Sequence, residues 1–194
     1  TMVLASGVTS SFKAPEGFDM NQFWKQSFAI AALSKWIANY IPNCEEETAF
    51  TCGMLSSIGS LLIRIVLPTE TKSIDEAEAL GGKRHTLERG QLGFDGTEVG
   101  AELAKRWKFP DEMLAAIHDQ NNADLDKEYG VYAGILYIAK YLHSAHNDNW
   151  DEARIIDEFP LAVAQSIGMD AEKAYQDLAS TTDLESGLDA LLED

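Results

Sequence analysis

Ala49-Phe-Thr-Cys-Gly-Met-Leu-Ser-Ser-Ile-Gly-Ser-Leu-Leu62 is the stretch on which the fold of this chain turns. It lies in a helical region that opens in the acidic first turn Glu45-Glu46-Glu47, suited to the positive end of a helix dipole. Small and apolar residues carry it to about Leu67, and Pro68 is the stop signal. Gly53 and Gly59 cost helix propensity inside it, so they are expected to permit a close helix contact or a break. At its centre stands the hydroxyl pair Ser56-Ser57. Hydroxyls are poor ligands for a divalent metal without carboxylate or imidazole partners.

Outward from that stretch the periodicity is helical throughout. Phe18 to Tyr40 places Phe23, Phe28, Ile30, Leu33, Trp36, Ile37 and Tyr40 mostly three and four residues apart, with Asp19 as the N-cap. A short helix follows Pro68 to about Leu80 and closes at Gly81-Gly82. Another runs from about Thr86 to Gly93-Phe94-Asp95, where Phe94 is expected to plug the core. Asp95 or Thr97 caps the helix holding Val99, Leu103, Ala104 and Trp107. Pro110 starts the next, Tyr129 to His146 is long and amphipathic, and Trp150–Phe159, Pro160–Ile167 and Asp170 onward supply three more. No alternating strand pattern, repeat or low-complexity linker interrupts them. The prediction is an all-α, compact helical bundle.

Composition narrows the function. At 194 residues and 45% hydrophobic, the chain can bury one good core or two small ones. A formal charge of −17 argues against a nucleic-acid surface and against an anionic membrane. No run of eighteen apolar residues suggests a membrane helix, and the first residues lack a signal-peptide layout. Cys44 and Cys52 read as reduced residues of a cytoplasmic protein. From Asp148 to Asp194 stand 13 acidic residues against 2 basic ones, a solvated helical face or a docking surface for a basic partner.

Taken together, Phe23-Trp-Lys-Gln-Ser27, the Phe50–Leu62 segment, Leu92-Gly-Phe-Asp-Gly-Thr-Glu-Val-Gly100 and Arg106-Trp-Lys-Phe-Pro110 resemble the HDOD domain of bacterial signalling proteins. HDOD is a degenerate relative of the HD-superfamily metal-dependent phosphohydrolases. The resemblance covers about residues 17 to 145 and implies a non-catalytic, all-helical bundle of the HD-superfamily type. It places the HD-like core at 19–147, with residues 1–18 as the end of an upstream helical segment or linker. Residues 148–194 then form acidic C-terminal helices packed on the same domain. On this resemblance the chain looks like the C-terminal portion of a complete HDOD domain.

The resemblance also locates a former metal site. Where metal-binding relatives have a His in the first helix, this chain has Gln26, and their His-Asp doublet corresponds to Ser56-Ser57. A further His corresponds to Gly96, a His pair falls near Gln120-Asn121, and a late Asp falls near Lys140. An ammonium beside a divalent cation is repelled, so Lys140 is worse than neutral there. No metal and no cofactor are expected.

Other candidates are weaker. His118 and Asp119 diverge by about 100° on a helix, and His143 and His146 lack a third ligand. These and His85 are expected to be structural or exposed. Ser56 and Ser57 have no identifiable base or oxyanion motif for nucleophilic chemistry. Trp24, Trp36 and Trp107 are expected in the core and Trp150 at its edge. The expected function is regulatory, by protein–protein contact, with homodimerisation as one form of it. The alternatives are a small-ligand (nucleotide) sensor in the degenerate pocket and a residual metal-dependent phosphohydrolase.

Overall fold

A computed structural model describes residues 18–122 and 130–181. All but the last residue of the expected upstream segment (1–18), Tyr129 and the end of the acidic tail (182–194) lie outside the described residues. The described chain is helical, with no strand. In order the helices are α1 (Met20–Ala38), α2 (Glu46–Leu55), α3 (Ile58–Val66), α4 (Pro68–Ala79), α5 (Arg84–Leu92) and α6 (Gly96–Arg106). Then come α7 (Asp111–Asp119), α8 (Val131–Asn147), α9 (Glu152–Asp157), α10 (Leu161–Ser166) and α11 (Ala171–Gln176). The all-α prediction holds.

Local chemistry sets most of these boundaries. The Asp19 carboxylate accepts from the Gln22 backbone N–H at 2.9 Å and starts α1. Gly93, at φ 82°, ends α5 in the left-handed conformation that favours glycine. Asp95 then opens α6 with a full capping box, its carboxylate accepting from Thr97 and Glu98 while the Glu98 side chain accepts from the Asp95 N–H. Of the two residues that could cap α6, it is Asp95 that does so.

Three expectations are corrected. The single helix expected from Glu45 to Leu67 is two, broken at Ser56-Ser57. Joined, Glu46–Val66 is long and apolar enough, at 21 residues and mean hydropathy 1.6, to cross a membrane by length and composition. In the fold its two halves pack on different partners, α2 on α1 and α3 on α6. Phe94 does not plug the core: it is 37% exposed at the turn before α6. Trp107 is 42% exposed, stacking edge-on against Phe109 where α6 has ended. Its helical phase matched the apolar face, but it stands at the C-cap of α6, where Phe109 covers only part of the ring.

The two glycines of the opening stretch set the helix spacing. A Cβ at Gly53 would stand 2.5 Å from Ala31 Cα, so α2 lies against the α1 backbone itself. A Cβ at Gly59 would stand 1.9 Å from the Gly96 carbonyl oxygen and 2.5 Å from the Gly100 nitrogen, so α3 and α6 touch backbone to backbone. A large apolar core joins α1, α2, α7, α8 and the C-terminal helices, from Ile30 to Leu178. A smaller one gathers Phe23, Trp24, Ile58 and Leu61. Trp36 is half-buried against the large core and its indole N–H donates to Ser180 Oγ at 3.1 Å. Trp150 sits at the core's edge, as expected, under the Arg154 guanidinium at 3.6 Å.

Candidate functional site

Between α1, the α2–α3 break, α5, the start of α6 and α8 lies a cleft of about 450 Å³. Six of the seven positions read from the sequence line it: Gln26, Ser56, Ser57, Gly96, Asn121 and Lys140. The seventh, Gln120, is fully buried beneath it. Its side-chain amide donates to the carbonyls of Ser56 at 2.9 Å and Ile117 at 2.6 Å, tying the end of α7 to the helix break. The buried Ser56 hydroxyl donates to the Gly53 carbonyl at 2.8 Å, closing the last turn of α2.

Gly96 shows how the cleft is filled. Its backbone N–H donates to Glu88 Oε2 at 2.7 Å. A Cβ there would fall 2.0 Å from Ser60 Oγ and 2.7 Å from the Ser60 nitrogen, so no histidine fits at 96 with α3 and α6 in these positions. Glu88 itself is fully buried and also accepts from Arg84 Nε at 2.7 Å and Ser60 Oγ at 3.3 Å.

Arg84 continues the wall, its Nη1 donating to Asp75 and to Glu78. Arg64 meets the same two acids from α3, at 3.0 Å to Asp75 and 3.2 Å to Glu78. Two guanidinium groups and three carboxylates thus cross-link α3, α4 and α5. The sequence reading missed this wall. Its signals were the Arg84/Glu88 pair at i,i+4 and the Asp75/Glu78 pair at i,i+3, spacings that put charges on one helix face but do not name partners on other helices.

On the opposite side, the Lys140 ammonium donates to Asn121 Oδ1 at 3.0 Å. Burial pulls its pKa down to about 8, with Asp95 acting weakly in the other direction. His85 also lines the cleft, although it was expected to be structural or exposed. Burial lowers its pKa, and the nearby Lys140 and Lys83 charges push the same way against Asp95 and Glu88. The remaining histidines lie elsewhere. His118 pairs with Asp119 on the surface at 2.7 Å, His143 contacts the Asn147 amide, and His146 contacts Thr181 Oγ1. Cys44 and Cys52 are free thiols, and burial pushes Cys52 up to about 12 and Cys44 upward, away from thiolate chemistry at neutral pH.

The donor set does not fit a catalytic divalent metal. The seven positions read from the resemblance offer amides, hydroxyls, a glycine and an ammonium. Glu78 and Glu88, two of the lining carboxylates, are held by arginines. Among the described residues no three His, Cys, Asp or Glu side chains come together as a metal site.

The HDOD domain matches residues 1–123, well over half the sequence, and the chain belongs to the HDOD domain family. That match begins earlier and ends earlier than the 17–145 read from the motifs, so α8 and Lys140 lie beyond it. No curated protein matches the chain.

Among solved structures it is similar to a protein of Shewanella amazonensis SB2B provisionally named a phosphohydrolase. The identity is 33% and the TM-score 0.78, over 96% of this chain and 70% of that one. A provisionally named signal transduction protein of Marinobacter aquaeolei VT8 follows at 21% identity and TM-score 0.73, over 94% and 41%. The MmoQ response regulator of Methylococcus capsulatus str. Bath stands at 23% and 0.65, over 86% and 62%. The last two likenesses are of fold, and the chain spans less than two thirds of either protein.

Proposed function

We propose that this chain is a non-catalytic regulatory module of bacterial signalling, cytoplasmic, working by contact with a protein partner. The observation that carries the reading is the cleft's chemistry. None of the positions matched to metal ligands carries the imidazole or carboxylate of a catalytic metal centre, and Glu88, Ser56 and Gln120 are committed to holding helices together. The signalling names of the Marinobacter and Methylococcus proteins support the setting.

The C-terminal helices are the candidate contact surface. Asp151, Glu152, Asp157, Glu158, Asp170 and Glu172 are all exposed there, while Ile155, Phe159 and Val163 anchor the helices in the core. Such a surface suits a basic partner and steers its approach. A homodimer would use another surface, since two acidic faces repel. The decisive test is metal analysis of the purified chain alongside turnover of bis(p-nitrophenyl) phosphate with Mn²⁺, Mg²⁺ and Fe²⁺. The expected result is substoichiometric metal and no turnover; stoichiometric metal with turnover refutes the proposal.

A further inference from the structure

Two cationic groups in the cleft are left short of acceptors by the protein around them. Lys140 brings three N–H donors, of which Asn121 Oδ1 takes one at 3.0 Å. The chain has 32 acidic residues, yet none of those described forms an ion pair with this ammonium. Across the cleft, Arg84 spends Nε on Glu88 and Nη1 on Asp75 and Glu78, but its Nη2 is buried without a protein acceptor. The buried Arg84 Nη2 costs stability unless something accepts from it, and the half-buried Lys140 ammonium has donors to spare for a group entering the cleft.

We propose that the cleft binds a small ligand through one oxyanion group, phosphoryl or carboxylate, seated on the Lys140 ammonium. Its volume of about 450 Å³ is that of a small-molecule site. Gln26, Ser57 and Asn121 line it with neutral donors and acceptors that would orient the rest of the ligand. Charge sets the upper limit. Asp19, Glu78 and Glu88 also line the cleft, and Arg64 and Arg84 are already neutralised by acids, so a di- or triphosphate meets more repulsion than one lysine offsets. The site does not depend on the partner-binding reading and can fail or stand without it.

The charged groups around Lys140 are Asp95 ahead of α6 and His85 on α5, which interact with it electrostatically, and Arg84, Glu88, Asp19, Arg64 and Glu78, which line the same cleft. A lysine whose folded pKa is lowered loses its charge as pH rises through about 8, so affinity for the oxyanion falls across that range. The bound anion favours the ammonium and moves the titration upward.

Inorganic phosphate, acetate and AMP, each titrated into the full chain at fixed ionic strength, test the site and separate its sources. Phosphate and AMP acting without acetate assign a phosphoryl group, and acetate alone assigns a carboxylate. The wild type should gain about 3–5 °C in Tm at ten times the dissociation constant of an effective probe. Lys140→Met should show no gain. Equal gains in both proteins, or no gain with any probe, overturn the site. Should the variant fail to fold, the wild-type Lys140 side chain can be followed by NMR. Its titration near pH 8 must move upward at saturating probe, and an unmoved titration overturns the proposal.

Discussion

Helix α8 has two sides, and they are built on different principles. On one, Ile135, Leu136, Ile138, Ala139 and Leu142 have lost all exposure to solvent inside the large apolar core. On the other, Lys140 enters a cleft whose wall is made of arginines, carboxylates and glycines with assigned partners. Apolar burial is non-directional and tolerates small changes of shape. A buried charge is stable only while each partner is present, and a backbone contact only while nothing larger than hydrogen stands between. The core supplies the bulk of stability. The cleft side supplies the geometry.

The sharpest way to break this contrast is a pair of substitutions. Glu88→Ala removes the acceptor shared by Arg84, Ser60 and the Gly96 N–H, and should cost about 3–5 kcal/mol in urea denaturation. Ile135→Val, in the fully buried core, should cost about 1 kcal/mol. Similar losses for the two would remove the distinction between the sides.

A second pair uses glycines. Gly59→Ala drives a methyl group into the Gly96 carbonyl and should cost about 3 kcal/mol by the same measurement. Gly90→Ala, in open space at an exposed position of α5, should instead stabilise by roughly 0.5–1 kcal/mol.

A smaller loss than those at Glu88 and Gly59 tests the α6 cap. Asp95→Ala removes the α6 cap at a cost of about 1–2 kcal/mol at neutral pH. Burial works to raise the Asp95 pKa, but the Thr97 hydroxyl, the Arg89 guanidinium and the backbone N–H groups of Glu98 and Thr97 outweigh it and hold it below 3.8. A depressed carboxyl stabilises the fold above its unfolded pKa and loses that contribution as pH falls through the folded value. The gap in Tm between wild type and variant should therefore be widest above about pH 4 and close progressively in acid. A gap that is constant with pH would mean that Asp95 acts by packing alone.

Much of the fold was legible because helices are specified locally. Asp19, Pro68, Gly93 and Asp95 stop or start helices through groups within four residues of themselves, so the sequence announces them. The cleft was legible in part. Six positions known only through a family resemblance are brought to one cavity, Lys140 included, although it lies past the matched region. Trp107 and Phe94 went the other way. The helical phase of Trp107 and the turn holding Phe94 promised a core, but whether a neighbour arrives to cover a side chain is not encoded in the segment that carries it.

By itself, then, the Ala49–Leu62 stretch and its surroundings determined an all-helical HDOD chain, with amides, hydroxyls, glycine and lysine at the positions the resemblance matches to metal ligands. Periodicity, caps and residue chemistry are properties of neighbours in the chain, and no folding is needed to read them. Only the tertiary structure decided that Ser56-Ser57 is a helix break, that Gly59 and Gly96 are a backbone contact, and that Glu88 holds Arg84. It also set Lys140 in the cleft with one protein acceptor. Those depend on which groups meet across distant helices, and the strength of a buried charge or the room for a side chain is set by that meeting.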